Sequence, residues 1–492
     1  MNNMGFCTPE QAGISSRHVL NFYKQLEQSH LSTHGVVMAR GNNVFSEGYY
    51  APFHKDFLHR IYSATKTFAS IGIGFCEQDG LLSFSDRLLK FFPEYKDDTK
   101  DQNNPTIQEM LEMKTELEGS GRWMQDNPND RPAYYFNKAK VKFPGTLFRY
   151  DTTASYMLSA VVERVSGKSF LDYMREKFLD DIGFSKEAYC LTCPGGHAWG
   201  DSGIICTTRD MMLVGRFLLN GGTWNGKRYL NEEFVKNATN ACSTTNAFGF
   251  EDLDEGYGVG YVFWGAPKGC YAACGAGNQI YFCDPAHDFV FAIQSSNAGN
   301  GYGYKQIYTA LYRFIIDNFQ DGPLPEDPEA LAELEAYVAD RKLFCLYDSP
   351  SSDFAEKING KVFDCAKSAT GIRWFRLDFE GDEGKFTYEN AQGEKCMTFG
   401  FGHNVFHKFP ETGYPGPVGT IPVPGNQYDA AFSADWPEPQ VLRVRAQIID
   451  IYFGNLGMLF GFQDENHVSI RMVKSAEGFL NEYEGIVNAT AR

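Results

Sequence analysis

Strand-forming segments lie at both ends of the first 320 residues of this chain, and a mostly helical stretch separates them. Residues 34–40 and 44–50 flank the turn Gly41-Asn42-Asn43, which predicts a β-hairpin. Three later strands are predicted at 257–264, 279–283 and 289–294, and a terminal helix at 305–319. The pattern therefore predicts one sheet built from sequence-distant segments, with a helical insertion between them.

A linker then separates this part from a second one. Pro323, Pro325 and Pro328 stand among acidic residues, which interrupts regular structure. A short helix near 329–341 follows, and alternating segments around 374–389 and 441–462 predict strands. We expect a first domain at 1–320, with its sheet at about 1–80 and 240–320 and its helices at about 80–240. A linker and short helix at 321–339 then lead to a β-rich C-terminal domain at 340–492.

The charge balance of the chain excludes some partners. Its formal net charge is −17, and no basic stripe is present. Nucleic acids and anionic membrane surfaces are bound mainly through Lys and Arg, so we expect neither as a partner. The first residues contain no basic segment followed by an apolar one, so we expect a cytoplasmic protein whose twelve cysteines are reduced. The oligomeric state stays open.

Ser63-Ala64-Thr65-Lys66 is the first candidate for chemistry. Residues i and i+3 share one face of a helix, so the Lys66 amine can reach the Ser63 oxygen. A serine with an attached base is an activated nucleophile. Alone, the motif also fits an ordinary helix start with a surface lysine.

Two later segments contain further candidate residues for the same site as Ser63 and Lys66. Tyr150-Asp151-Thr152 places a tyrosine just before an amphipathic helix, and Ala273-Cys274-Gly275 places small residues on a strand. Such a strand lets a substrate lie against the backbone. Each segment alone also fits packing or a glycine-rich turn.

Together, the three segments resemble the serine β-lactamase and penicillin-binding-protein superfamily. They are most similar to the branch of class C β-lactamases, family VIII esterases, D-aminopeptidases and 6-aminohexanoate-oligomer hydrolases. Ser63 to Lys66 matches Ser-x-x-Lys, Tyr150 to Thr152 matches Tyr-x-Asn/Ser, and Ala273 to Gly275 lies where Lys-Thr-Gly or His-x-Gly occurs. The resemblance covers about residues 8–320. It implies an α/β fold: an antiparallel sheet flanked by helices, with a helical insertion. The C-terminal β-rich domain is expected to be barrel- or lipocalin-like.

The resemblance also implies roles for individual residues. Ser63 is the expected nucleophile, and Lys66 and Tyr150 share its proton. The backbone amides of Ser63 and Ala276 are expected to form the oxyanion hole. The remaining expected substrate contacts are Thr152, Ala273, Cys274 and Gly275. No metal or cofactor is expected.

The departures from the family motifs concern the substrate. Ala273 removes a cation that relatives use to hold a substrate carboxylate, and Thr152 replaces an amide side chain. Both changes favour uncharged small esters or amides over penicillins. The expected function is therefore hydrolysis of a small ester or amide through an acyl-enzyme. The open alternatives are an acyltransferase with the same site and a non-catalytic ligand-binding protein.

Other features are weaker. Gly200-Asp201-Ser202-Gly203 resembles a protease motif by chance, and Cys190-Leu191-Thr192-Cys193 has too few further ligands for zinc. Four aromatic residues are candidates for the walls of the pocket, namely Trp123, Tyr134, Tyr135 and Trp199.

Overall fold

A computed structural model of the chain describes residues 4–100, 103–115, 129–245 and 257–492. Within those ranges the chain forms two compact units. The first comprises Met1–Ser295, Tyr302–Lys342 and Pro417–Thr420, and the second comprises Ser296–Gly301, Leu343–Gly416 and Ile421–Arg492. No helix among the described residues is long and apolar enough to cross a bilayer.

The first unit contains short and long strands that form one main sheet and two small ones. In chain order the strands are β1 (Gly5–Phe6), β2 (Thr33–Arg40), β3 (Asn43–Tyr49), β4 (His59–Arg60), β5 (Tyr189–Cys190), β6 (Ile204–Cys206), β7 (Thr223–Trp224), β8 (Lys227–Arg228), β9 (Trp264–Ala266), β10 (Cys270–Gly275), β11 (Gln279–Asp284) and β12 (Phe289–Ser295). The main sheet has the order β1-β3-β2-β12-β11-β10-β9, and its pairs are antiparallel except β1 with β3. Since β2 pairs with β12, distant segments form one sheet, as the sequence predicts.

Helices connect and cover these strands. In chain order they are α1 (Ser16–Gln28), α2 (Thr65–Gln78), α3 (Ile107–Leu111), α4 (Arg131–Asn137), α5 (Thr152–Ser166), α6 (Phe170–Met174), α7 (Asp180–Ile182), α8 (Thr208–Leu219), α9 (Glu232–Thr239), α10 (Gly303–Phe314) and α11 (Pro328–Ala339). One apolar core joins α1 and α10 to one face of the sheet, with Phe22, Ile307, Leu311, Phe282 and Phe291 fully buried. On the opposite face α8 packs against β2, β11 and β12. The predicted antiparallel sheet with helices on it is therefore confirmed.

One predicted strand of this sheet is wrong. Of residues 257–264, only Trp264 belongs to a strand, β9. Val262 has a left-handed backbone with φ of 76°, which no strand residue adopts. The sequence signal came from apolar side chains that are buried without extended backbone.

The second unit is a β domain with one short helix, α12 (Ala355–Ile358). Its strands are β13 (Val362–Cys365), β14 (Trp374–Glu380), β15 (Glu383–Asn390), β16 (Gly393–Phe401), β17 (Val405–Lys408), β18 (Asp429–Glu438), β19 (Val441–Ile449), β20 (Phe453–Asp464), β21 (His467–Ser475) and β22 (Gly485–Ala491). The sheet order is β16-β15-β14-β13-β22-β21-β20-β19-β18-β17. Because β16 also pairs with β18, the first nine strands of this order close into a barrel, and β17 pairs with β18 outside that ring. Along β14, Phe375 and Leu377 are buried while Arg376 and Asp378 are not, the alternation of a closed sheet with a filled interior.

Candidate active site

The candidate nucleophile lies in a tight turn directly before helix α2. Tyr62–Ala64 form one 3-10 turn, and α2 begins at Thr65. Tyr62 has a left-handed backbone with φ of 47°, which is costly for a residue with a side chain. Ser63 follows this residue and stays partly exposed. The turn therefore presents the Ser63 hydroxyl at a surface while the helix behind it is buried.

The Lys66 amine lies against that hydroxyl. Lys66 Nζ is 2.9 Å from Ser63 Oγ, and it donates a second hydrogen bond of 2.9 Å to the backbone oxygen of Asp201. The lysine is only 1% exposed, and its neighbours Thr65 and Thr67 on α2 are buried as well. Two fixed contacts and burial leave the amine little freedom, so it stays within reach of the proton on Ser63.

Tyr150 also lies near the Lys66 amine. Lys66 Nζ is 5.2 Å from the centre of the Tyr150 ring, and that ring stacks on Trp264 at 5.9 Å. The next residue, Asp151, is the N-cap of α5, and its Oδ1 accepts hydrogen bonds from the backbone amides of Thr153 and Ala154. Tyr150 is therefore held between a stacked ring and a capped helix.

Burial affects the pKa of the capping carboxyl. Burial raises the pKa of Asp151, and hydrogen bonds from Thr153, Thr115 and Ala154 oppose that rise. Thr115 Oγ1 donates to Asp151 Oδ2 at 2.8 Å.

Thr152, an expected substrate contact, is the first residue of α5 and is partly buried.

Strand β10 runs close to the serine turn. A Cβ at Gly275 would lie 2.1 Å from the Ile61 carbonyl oxygen, so only glycine allows this approach. The Gly275 carbonyl oxygen accepts a 2.6 Å hydrogen bond from the Tyr304 hydroxyl. Ala276 follows Gly275 beyond the strand and is exposed. Ala276 is thus the residue after the one that packs against the serine turn.

The other two expected substrate contacts on β10 have buried side chains. Ala273 is fully buried. Cys274 belongs to the core under α10, and its Sγ lies 3.5 Å from the Tyr308 hydroxyl. Burial raises the pKa of the Cys274 thiol to about 12, so it stays protonated. Cys274 could contact a substrate through its backbone only.

Three of the four aromatic residues predicted as candidate pocket walls are buried. Tyr134 and Tyr135 are buried in α4. Trp199 is also buried, with the guanidinium groups of Arg60 and Arg131 4.4 and 4.7 Å from its ring. Trp123 lies outside the described residues.

Several residues near the serine were not identified from the sequence. Trp264 and Tyr304 approach the site from segments more than 200 residues away from Ser63, and Asp201 contacts Lys66 from a loop. In the sequence, Asp201 stands out only through its place in Gly200-Asp201-Ser202-Gly203, which indicates no contact with Lys66. No local pattern links these residues to the serine turn, because each contact depends on the tertiary fold.

Comparison with known proteins gives consistent matches. The sequence profile of the Beta-lactamase family matches residues 22–311, more than half of the chain. The 6-aminohexanoate-dimer hydrolase of Paenarthrobacter ureafaciens is 22% identical over 287 residues, which are 54% of this chain and 72% of that enzyme.

Two solved structures share the fold. A Bacillus anthracis protein provisionally assigned as a 6-aminohexanoate-dimer hydrolase has a TM-score of 0.52 at 18% identity, over 64% of this chain and 86% of that one. A penicillin-binding-protein homologue from Caulobacter crescentus has a TM-score of 0.50 at 16% identity, over 63% of this chain and 99% of that one. At these identities, the two similarities concern the fold alone.

Proposed function

The chain belongs to the beta-lactamase family, and we propose that it is a serine hydrolase that forms an acyl-enzyme on Ser63. The observation that carries this proposal is the 2.9 Å distance between Lys66 Nζ and Ser63 Oγ. The Tyr150 ring beside the same amine supports it, since a second proton-carrying group is then close to the first. The proposed substrate is a small ester or amide.

The first half of the proposed reaction forms the acyl-enzyme. Ser63 Oγ attacks the carbonyl carbon of the substrate, and its proton passes to the Lys66–Tyr150 pair. The carbonyl electron pair moves onto oxygen, and the backbone N–H groups of Ser63 and Ala276 stabilise that charge. The tetrahedral intermediate then collapses. Its bond to the leaving alcohol or amine breaks, and the leaving group takes the proton from the pair.

The second half regenerates the serine. Water gives a proton to the Lys66–Tyr150 pair and adds to the acyl carbon, and the same two amides hold the oxyanion. The ester bond to Ser63 then breaks, the carboxylic acid leaves, and Ser63 Oγ recovers its proton. The pair can serve both halves, because each half returns it to its starting state.

The side chains on β10 support the proposed substrate class. Ala273 is a buried methyl group, Gly275 has no side chain, and the Cys274 thiol points into the core. None of these positions offers a cation to a substrate carboxylate, which supports an uncharged acyl group. The Paenarthrobacter ureafaciens relative is named for the 6-aminohexanoate dimer, so a linear amide is the first amide to assay.

The test compares two serines of the same helical segment. Ser63→Ala is expected to lower the hydrolysis of p-nitrophenyl acetate and butyrate by about 10³-fold or more. Ser70→Ala is the matched control. Ser70 is fully buried on α2, and its hydroxyl has no hydrogen-bond partner among the residues that the structure describes. We therefore expect its removal to leave hydrolysis unchanged. Full activity of Ser63→Ala would contradict the proposal.

A fluorophosphonate probe and product analysis separate the alternatives. A wild-type adduct on Ser63, found by mass spectrometry and absent in Ser63→Ala, supports the acyl-enzyme. Esters or amides formed when alcohols or amines are added would assign acyl transfer instead of hydrolysis. If Ser63 forms no adduct and no ester is cleaved, the protein is a binding protein with this fold.

A further inference from the structure

Two buried polar side chains lie behind the turn that contains Ala276. Gln279 is the first residue of β11 and Ser295 is the last residue of β12, and both are fully buried. A buried amide or hydroxyl is costly unless it is hydrogen-bonded. The hydrogen bonds of these two side chains therefore indicate what they do in the fold.

The carbonyl oxygens of the turn accept several of these hydrogen bonds. Gln279 Nε2 donates to the Ala276 backbone oxygen at 3.2 Å. Ser295 Oγ donates to the Gly277 backbone oxygen at 2.7 Å and also lies 3.0 Å from the Asn278 backbone oxygen. Each carbonyl oxygen between β10 and β11 is thus within hydrogen-bond distance of one of the two side chains.

Gln279 and Ser295 are also bound to each other. Gln279 Nε2 makes a second hydrogen bond, of 2.5 Å, to the Ser295 backbone oxygen, and Gln279 Oε1 accepts one of 3.3 Å from the Ser295 amide. The pairing of β12 with β2 shifts in register between Gln294 and Ser295, and such an irregularity re-aims a side chain near a strand end. Both ends of the Gln279 amide group are therefore used inside the protein.

The same contacts determine the direction of the Ala276 N–H. This N–H shares a peptide unit with the Gly275 carbonyl, whose oxygen accepts a 3.1 Å hydrogen bond from the Asn278 amide. The next peptide unit is held by Gln279 through the Ala276 oxygen. Because a peptide unit is planar, holding its oxygen also fixes its N–H. The backbone at Ala276 is thus restrained on both sides.

We propose that Gln279 and Ser295 are positioning residues: through the carbonyl oxygens of residues 276–278 they hold the Ala276 N–H in the direction in which it meets the substrate oxyanion. This inference rests on the proposed function, in which that N–H is one of the two oxyanion donors. A donor stabilises the oxyanion most when it is already aimed at the atom on which the charge develops. Both side chains are buried, so they act through the backbone of the turn.

The test compares p-nitrophenyl acetate with its thionoester, in which sulfur replaces the carbonyl oxygen. Sulfur accepts hydrogen bonds weakly, so a misaimed N–H slows the oxygen ester more than the thionoester. Gln279→Met keeps the length of the side chain and removes its hydrogen bonds. We expect kcat/KM for the oxygen ester to fall by about tenfold or more, and the ratio of the two kcat/KM values to fall with it. A loss of folded protein alone would lower both values equally.

Gln294→Met is the matched control. Gln294 precedes Ser295 on β12 and is also fully buried. Its side chain accepts a 2.6 Å hydrogen bond from Thr208 Oγ1 and donates one of 3.2 Å to the Cys206 backbone oxygen, so both of its ends are used away from the turn. Gln294→Met should therefore lose stability without changing the ratio of the two kcat/KM values.

Ser295→Ala covers the case in which Gln279→Met does not fold. It removes the hydroxyl that reaches Gly277 and should also lower the ratio, whereas Ser70→Ala removes a buried hydroxyl elsewhere and should not. An unchanged ratio in folded Gln279→Met, or in Ser295→Ala, overturns the inference. If the wild type cleaves neither ester and a fluorophosphonate does not label Ser63, the proposed function itself has failed, which is a different result from normal hydrolysis with unchanged ratios.

Discussion

The backbone of Gly275 packs directly against the carbonyl oxygen of Ile61, two residues before the candidate nucleophile. A Cβ at Gly275 would stand 2.1 Å from that oxygen and 3.1 Å from the Ala64 amide nitrogen. Both atoms belong to the backbone of the serine turn, so neither can move aside as a flexible side chain could. Strand β10 can therefore approach the serine turn this closely only because Gly275 has no side chain.

Gly275→Ala should separate the strand from the serine turn. We expect a loss of about 2–4 kcal/mol in unfolding free energy and at least a tenfold lower rate of Ser63 labelling by a fluorophosphonate. Denaturant unfolding and labelling kinetics measure the two effects. Gly322→Ala is the control, since a Cβ at Gly322 meets no atom of the described residues within 4 Å. Normal labelling of a stable Gly275→Ala protein would contradict the predicted role of this contact.

Tyr304→Phe should change the preference between amides and esters. The Tyr304 hydroxyl donates a 2.6 Å hydrogen bond to the Gly275 carbonyl oxygen, and its loss costs about 0.5–1.5 kcal/mol of stability. The Asn278 amide still donates a 3.1 Å hydrogen bond to this oxygen, so the variant vacates one of its two acceptor positions. The N–H of an amide substrate can take that position, and an ester has no such group. We expect KM for a linear amide to fall relative to KM for the matching ester. An equal change in both KM values would show that Tyr304 acts on stability alone.

The sequence is informative where the chemistry is local. The hairpin of β2 and β3 follows from alternation around Gly41, and the approach of Lys66 to Ser63 follows from helical spacing. The family resemblance adds the antiparallel sheet. These features depend on residues that are close in the chain, so a pattern of a few residues is enough to indicate them.

Other features depend on residues that meet only after folding. Asp201 and Lys66 are 135 residues apart, and Tyr304 and Gly275 are 29 apart on different elements. The strand predicted at 257–264 failed because burial of apolar residues there does not require extended backbone. Closure of the barrel by β16 and β18 likewise depends on the curvature of the whole sheet.

Asp151→Ala should weaken the support of Tyr150. The Asp151 carboxylate caps α5 through the amides of Thr153 and Ala154 and also accepts a hydrogen bond from Thr115. Loss of an N-cap costs about 1–2 kcal/mol. Because Tyr150 is the preceding residue, we also expect ester hydrolysis to fall by about tenfold or more, measured as kcat.

The matched control for that variant is Asn231→Ala. Asn231 caps α9 by accepting a hydrogen bond of 2.8 Å from the Glu233 amide, and it plays no part in the candidate site. Its loss should cost about the same stability. If both variants lower hydrolysis equally, the effect of Asp151→Ala comes from stability and not from Tyr150.

The buried histidine His59 should make the protein sensitive to acid. His59 lies on β4, is 2% exposed, and has its Nδ1 3.5 Å from that of His34. Burial lowers the pKa of His59 to about 3, from an ordinary value of about 6.5. Above pH 6.5 both the folded and the unfolded state hold a neutral ring. Below it the unfolded state gains a proton that the folded state does not, so stability falls as pH drops from about 6.5 toward 3.

One such group contributes about 1.4 kcal/mol per pH unit in that range. His59→Gln should therefore reduce the slope of unfolding free energy against pH by about that amount between pH 6 and 4.5. Urea unfolding at each pH measures the unfolding free energy. His54→Gln makes the same chemical change at an exposed position and is the control. The pH slope remains the readout even if His59→Gln is less stable at pH 7. An unchanged slope in His59→Gln would mean that His59 gains its proton in the folded protein as readily as in the unfolded chain.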